Sequence, residues 1–379
     1  MKVTNKLFEL ARAVTCFLDD HGIAFAGIPS GPVAQRCVPL RSPELRRYLY
    51  GEFDKKHSGV PGSSAYRDLL YTLEARAHDS ELPRRALDTR IAADGPRFVP
   101  ETIYLHLAND AGDAVEITDR GWNLRAAKST YFRGSERSLP LPEPAAGGPP
   151  LDTQLQTLTG LPAAVREPCL DWIAAAMRPT GPYPVLVLKG PTGSGKSTLA
   201  RLLRFTLDPC IDPLPNLPNT PRQVHALAEQ QHILVFDHIT HISRKLSEAL
   251  CCTARPIILT MPDRTKLDPE LANRAIVVAL PEIESSQRRT EAEISATFHE
   301  LHPQILGALC TLASQALAHM GETKLVEAPR HADAAAWVAS AQTGQGRDPI
   351  RWTACLPLPP TSSYLPQSPD RSPGPAGST

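Results

Sequence analysis

The chain carries no net charge: 40 Lys and Arg balance 40 Asp and Glu over 379 residues. The balance holds on both sides of residue 150, so neither half has the basic excess that marks many nucleic-acid-binding domains. Any contact with DNA therefore has to come from a local patch or from a ring of subunits. Long hydrophobic runs are missing too, and nothing approaches the ~18 apolar residues that span a bilayer. No membrane association is expected. Residues 1–20 place Leu7, Leu10, Ala11, Val14 and Leu18 among charged residues, the pattern of an amphipathic helix rather than a signal peptide. A soluble, cytoplasmic protein is the expectation. The eight cysteines show no metal-ligand spacing, and Cys251 and Cys252 are adjacent, so reduced thiols are expected rather than a disulfide framework. His299 and His302 stand three apart before Pro303 and do not form H-E-x-x-H, so a metal site is not expected there.

Proline is plentiful, 38 residues, and it punctuates the chain. Residues 1–138 read as a small α+β domain. Helical patterns cover about 4–20, 43–56 and 64–78, and strand-like runs cover Thr102 to Leu107, Ala114 to Ile117, Trp122 to Ala126 and Ser129 to Phe132. These runs suggest a small antiparallel sheet with Trp122 in its core. Residues 139–150, LPLPEPAAGGPP, read as a hinge. Residues 151–285 form the expected nucleotide-binding core, opened by a helical stretch over 151–178 that packs through Trp172, Ile173 and Met177. Residues 286–342 are expected to be helical, with one helix ending before Pro303, a second beginning there and closing near Gly321, and a short one over 330–341. From 343 the composition turns to Pro, Ser and Gly, which predicts a disordered tail whose prolines could meet an SH3-like partner.

The chemistry concentrates at 185–201. Val185 to Leu188 are continuously apolar, as a strand buried on both faces requires. The run breaks into Gly190, Pro191, Thr192, Gly193, Ser194, Gly195, Lys196 and Ser197, followed by Thr198 and a helical pattern. This is the full G-x-x-x-x-G-K-[ST] phosphate loop. The glycines let successive N–H groups turn toward phosphate oxygens. The helix N-terminus adds positive potential beneath them. Lys196 then meets the β- and γ-phosphates, and the Ser197 hydroxyl reaches Mg²⁺. Buried strands over His232 to Phe236, Pro256 to Thr260 and Ala275 to Leu280 alternate with helices, one of them opened by Thr220 as N-cap and Pro221. The fold class that follows is α/β: a P-loop NTPase with a parallel sheet and helices on both faces.

Asp237 ends the second strand as a lone carboxylate and is assigned to Mg²⁺. Many ATPases place Glu after this Asp; here it is His238, which can accept a proton or be an ordinary loop residue. Glu248, one helix on, is expected at the surface. Arg274 precedes the fourth strand and could act in trans on a neighbour's γ-phosphate or pair with a local carboxylate. Arg288 and Arg289 open a later helix, where basic residues oppose the dipole, which suggests that at least one serves the nucleotide.

Taken in order, these segments resemble a family of prophage and mobile-element ATP-binding proteins, similar to the helicase half of viral primase–helicases (superfamily 3 within the AAA+ group). The likeness runs from about residue 40 to 341. It rests on LEARA (73–77), VEITDRGW (115–122), LPLPEP (139–144), GPYPVLVLKGPTGSGKST (181–198), VFDHIT (235–240), LSEALC (246–251), RPIILT (255–260), LANRAIVVALPEIESSQRRTEAE (271–293), HPQILGALC (302–310) and APRHADAAAWV (328–338). The resemblance implies an AAA+-like core with a helical lid, a homo-oligomeric ring, ATP-driven movement on DNA and a role in DNA replication of an integrated element. It also implies that Thr260 occupies the place of a polar sensor, usually Asn, that positions the attacking water. Asn273 stands where the family tends to have Asp. The family's stretch between the LSEALC-like helix and the RPIIL-like strand, which in related ring helicases faces DNA in the pore, has no counterpart here, because Arg255 follows Cys252 almost at once. Weak binding of single-stranded DNA and poor unwinding are therefore expected. A nucleotide-binding scaffold without motor action is the alternative, and a P-loop kinase a more distant one.

Overall fold

The computed structural model describes residues 3–345 apart from 30–34, 82–83, 85–86, 97–98, 127–131, 136, 322, 324 and 326–329. The expected tail therefore lies outside the described residues from 346 onward, as do 129–131 of the expected strand over 129–132.

The chain begins with α1 (Val3–Leu10) and one 3-10 turn (Ala11–Ala13). The helix expected over 4–20 stops there. Val14 is extended, and β1 (Thr15–Leu18) pairs antiparallel with β2 (Ala24–Pro29), which pairs with β3 (Gln35–Pro39). Thr15, Cys16 and Phe17 favour a pleated surface, and Phe17 stacks on Phe25 across the pair at 6.2 Å. The apolar spacing that looked helical thus spans a helix and a strand. Helices α2 (Pro43–His57) and α3 (Ser63–His78) cover this sheet, burying Leu45, Leu49, Leu69 and Leu73 with Leu7 and Val38 in one core. Ser42 caps α2 by accepting from Leu45 N.

A second antiparallel sheet follows: β4 (Ile91–Asp94), β5 (Thr102–His106), β6 (Asp113–Thr118) and β7 (Gly121–Ala126), in that order. The single small sheet expected in 1–138 is therefore two sheets, and they belong to different cores. Ile91, Ile103, Leu105, Val115 and Ile117 pack in one cluster with residues far along the chain, including Trp172, Leu188 and Leu306. Trp122 is half-buried against this cluster, and its indole N–H donates to Thr311 Oγ1 at 3.0 Å.

Residues 139–150 are pinned along their length, contrary to the hinge expected from composition. Leu139 N donates to Pro209 O, Leu141 N to Leu107 O and Ala145 N to Pro303 O. Backbone contact at Ala145 is so close that a Cβ on Gly307 would run into the Ala145 carbonyl.

Helices α4 (Leu151–Thr159) and α5 (Ala163–Ala176) are separated by Gly160-Leu161-Pro162, with Gly160 in the left-handed conformation. The parallel sheet comprises β8 (Val185–Lys189), β9 (Leu234–Phe236), β10 (Ile257–Met261) and β11 (Ala275–Ala279), ordered β11-β8-β10-β9. Between them run α6 (Lys196–Leu207), α7 (Pro221–Ala228), α8 (Arg244–Cys252) and α9 (Pro269–Ala272). Alternate strand residues serve opposite faces. Leu186, Leu188, Val235, Ile258 and Ile276 join α5 and α6; Val185, Val187, Leu234, Phe236 and Leu259 join α7, α8 and α9. Thr220 caps α7 through Gln223 N, as its sequence suggests.

Helix α10 (Glu291–His319) continues as one helix through Pro303, where two helices were expected. Proline removes one N–H from the ladder, but burial continues on both sides of it, from Phe298 and His302 to Ile305, Leu306 and Leu309. Thr290 and Glu293 form a reciprocal capping box at its start. Helix α11 (Ala332–Gly344) packs against α10 and α5, and Trp337 donates to Ala174 O at 3.0 Å. Among the described residues no helix is long and apolar enough to cross a membrane.

His232, just before β9, is fully buried, and its Nε2 lies 2.8 Å from Ala176 O. Burial, helped by the nearby Arg255 charge, pushes its pKa down to about 4. The unfolded chain takes up a proton near pH 6.5 that the folded chain refuses, so His232 contributes stability above pH 6.5 that is lost as pH falls toward 4. Between pH 7 and 5.5 this group alone should cost about 1 kcal/mol. Thermal melts of the parent and His232→Gln across that window should show the weaker pH dependence in the variant; equal slopes would refute it. Asp88, raised to about 6 mainly by burial, acts in the opposite sense.

Candidate nucleotide-binding site

At the C-terminal edge of a parallel sheet the carboxyl ends of the strands lead into helix N-termini, and ligands collect there. The segment leaving β8 turns at this edge with Gly193 at φ +83° and Gly195 at φ +78°, conformations that disfavour side chains. Gly190 is confined by its neighbours: an added Cβ would stand 2.9 Å from Leu280 O and 2.6 Å from Ser194 Oγ. Gly195 is the N-cap of α6, whose first turn has no acidic residue and whose N-terminus has no side-chain cap. The loop lines a cleft of about 1200 Å³ with Thr198, Leu199, His238, Thr240, Thr260 and Arg288 among its other walls.

Lys196 curls back over the loop. Its Nζ donates to Gly190 O at 2.8 Å, Pro191 O at 2.6 Å and Ser194 Oγ at 3.3 Å. Ser197 Oγ donates to Asp237 Oδ1 at 2.9 Å, joining residues forty positions apart in the chain. Asp237 is buried at the end of β9. The Thr260 hydroxyl, from β10, donates to the same Asp237 Oδ1 and accepts from His238 N at 3.0 Å. Its one proton is thus directed at the carboxylate. His238 has φ +54°, its ring is 80% exposed, and Nε2 lies 3.2 Å from Asp237 Oδ2. Ser197, Asp237, His238 and Thr260 therefore share one contact network at the mouth of the loop. All the oxygens it offers are hard donors of the kind Mg²⁺ accepts.

Arg274 lies elsewhere. Its carbonyl accepts from Val185 N, and Ala275 pairs with Val185, so it sits at the start of the strands. The loop follows Lys189 at their far end, roughly 15 Å away along a five-residue strand. Arg274 donates to Cys251 O at 3.2 Å and approaches Glu270 at 3.6 Å. Within one chain it does not reach the loop. Glu248 is exposed and pairs with Arg244 at 3.0 Å. His302 is buried against Phe298 and Thr206 O, with its pKa pushed down to about 4 chiefly by burial.

Arg288 and Arg289 part company. Arg288 Nη2 comes within 3.9 Å of the place a Cβ on Gly193 would take, while Arg289 turns to the end of α4. Sequence reasoning did not anticipate that α4 and the turn Gly160-Leu161-Pro162 would form a wall of the cleft, or that Arg264 would line it. The only available signal was the turn chemistry of Gly160 and Pro162.

Residues 152–254 match the family described as actinomycete integrative conjugative element replication protein. No curated protein sequence matches the chain. Similar solved structures include SCCmec type IV Cch, an active helicase, at TM-score 0.43 and 12% identity over 89% of this chain and 70% of that one. The apo C-terminal region of NrS-1 aligns at TM-score 0.41 and 10% identity, covering 82% of this chain and 69% of that one. JCV helicase with a bound small molecule aligns at TM-score 0.29 and 15% identity, over 54% of this chain and 69% of that one. The chain thus has a segment similar to a replication protein of mobile elements, and helicases are among its structural neighbours at low identity.

Proposed function

We propose that this protein binds ATP with Mg²⁺ at the loop 190–197 and hydrolyses it, as a P-loop ATPase of the ring-helicase type serving replication of a mobile element. The observation that carries the reading is the contact of Ser197 with Asp237 at the mouth of a left-handed glycine loop that opens α6. Backbone N–H groups of the loop and the α6 N-terminus would hold the phosphates. Lys196, now on the loop's own carbonyls, would turn to the β- and γ-phosphates. Mg²⁺, held by Ser197 and Asp237, would supply charge neutralisation between phosphate oxygens. Thr260 would orient the Asp237 carboxylate, and the exposed His238 ring would take a proton from water. Arg274, at the opposite edge of the sheet, would serve only a neighbour's site in a homo-oligomeric ring.

Lys196→Ala should weaken ATP binding at least ~10-fold, about 1.4 kcal/mol, by titration calorimetry. Equal affinity in both proteins would remove the loop from the site. A second reading, a nucleotide-binding scaffold or regulator without motor action, is favoured by the short passage from α8, ending at Cys252, to β10, beginning at Ile257. It leaves no room for a pore-facing hairpin. With balanced charge, few DNA phosphates can be neutralised. Strand displacement at physiological salt, with ATPase rates measured with and without single-stranded DNA, separates the two: robust unwinding supports the motor, its absence the scaffold.

A further inference from the structure

Arg289 sits where its charge opposes the helix it precedes. The neighbour it faces explains this. Its Nη1 donates to Leu158 O at 3.1 Å and Thr157 O at 3.4 Å, the last turn of α4, where a helix C-terminus welcomes a cation. Its Nη2 donates to Thr297 Oγ1 at 2.6 Å and Glu293 O at 3.4 Å on α10. One guanidinium thus ties two helices more than 130 residues apart in sequence.

Both helices are walls of the same cleft, and the end they enclose differs from the phosphate end. Leu158, Leu161 and Pro162 line it from α4 and the turn after it, Ile283 and Ile294 from the segment before α10 and its first turn, and Leu199 and Leu202 from α6. Lys196, Ser197 and Thr260 line the cleft beside the loop; at the other end apolar side chains predominate, with Thr157, Thr159, Gln287 and Arg289 among them. Ile283 lies against Gly195, 3.2 Å from where a Cβ would stand, so the apolar end begins directly beside the loop. A nucleotide whose phosphates rest on the loop has its flat base to place in this end.

We infer that Arg289 is a positioning residue for the nucleotide base: it fixes the spacing of α4 and α10 and does not contact phosphate. This rests on the nucleotide-binding reading above. Arg288, whose guanidinium approaches Gly193, serves the phosphate end instead.

Binding of ATP and of inorganic tripolyphosphate, measured by calorimetry for the parent, Arg289→Ala and Arg288→Ala, tests the division. Loss of Arg289 should raise the Kd for ATP about tenfold and leave that for tripolyphosphate within about twofold. Loss of Arg288 should weaken both ligands by similar factors. Thr297→Val, which removes one acceptor of Arg289 while keeping its shape, should repeat the Arg289→Ala selectivity at smaller size and guards against a folding defect. An Arg289→Ala protein that binds ATP like the parent, or loses both ligands equally, overturns the inference. A parent that binds neither ligand overturns the nucleotide-binding reading itself, and the inference with it.

Discussion

Arg90→Ala is expected to destabilise the protein by about 3–5 kcal/mol, the cost of stranding one member of a buried ion pair. Arg90 is wholly buried, and its Nε meets Asp208 Oδ1 at 3.2 Å. The same guanidinium donates to His106 O, Ser138 Oγ and Leu139 O, so with the Asp208 contact four hydrogen bonds from one side chain serve strand β5, Ser138 and Leu139, and the end of α6. On the other side, Asp208 Oδ2 accepts from His232 N at 2.9 Å and Ile233 N at 3.0 Å. Burial pushes the Asp208 carboxyl upward, but Arg90 and Arg204 outweigh it and hold its pKa below the ordinary carboxylate value. Without Arg90 that carboxylate stays buried with less compensation. Urea unfolding should show a markedly lower midpoint, and Arg90→Ala with Asp208→Asn should cost less than the two changes summed. A loss below about 1 kcal/mol would make the pair incidental.

Asp237→Asn should lower ATP turnover about 10³-fold, roughly 4 kcal/mol of barrier, while ATP affinity changes only a few-fold. An amide keeps the shape and can still meet Ser197 Oγ and Thr260 Oγ1, but it brings no charge to a divalent cation. Asp237 Oδ1 receives both hydroxyls, and Oδ2 faces His238, so the substitution touches each group of the network. Steady-state turnover with Mg²⁺ is the measurement, paired with calorimetric affinity. Unchanged turnover would move the cation elsewhere, and a collapse of affinity equal to that of turnover would make Asp237 a binding residue.

The parallel sheet and the loop beneath the cleft were legible because their signals are local. An apolar run of strand length, a glycine-rich turn and a helical pattern sit in order within 185–207, and Thr220-Pro221 announces a helix by cap chemistry alone. Misreadings arose where long-range contacts decide. The residues Thr15 to Leu18 have helical spacing with their predecessors, yet they pair with a strand whose existence the local pattern does not disclose. Pro303 looks like a break, yet packing on both sides holds one helix. Strand β4 is four residues long, too short for an alternation to register. At the candidate site, Ser197 and Asp237 were legible as types at fixed places in a pattern. The sharing of Thr260's hydroxyl with Asp237, and the division of labour between Arg288 and Arg289, depend on which loops face one another, and adjacency in sequence conceals it.

The proline-glycine stretch at 139–150 invites a cut, and the packing advises against one there. Its backbone is stapled to Leu107, Pro209 and Pro303, and the sheet before it shares a core with the sheet after it. A fragment starting at residue 151 would lay bare the apolar face of α10 against which β6 and β7 pack, and would invite aggregation. The two cores part earlier, between the cluster built on α2 and α3 and the strand that begins at Ile91, with Phe132 O and Gly134 N still bonded back to Cys37. The smallest piece that keeps the cleft's core intact would therefore include the whole β4–β7 sheet, which makes that sheet a part of the body around the cleft rather than an appendage to it.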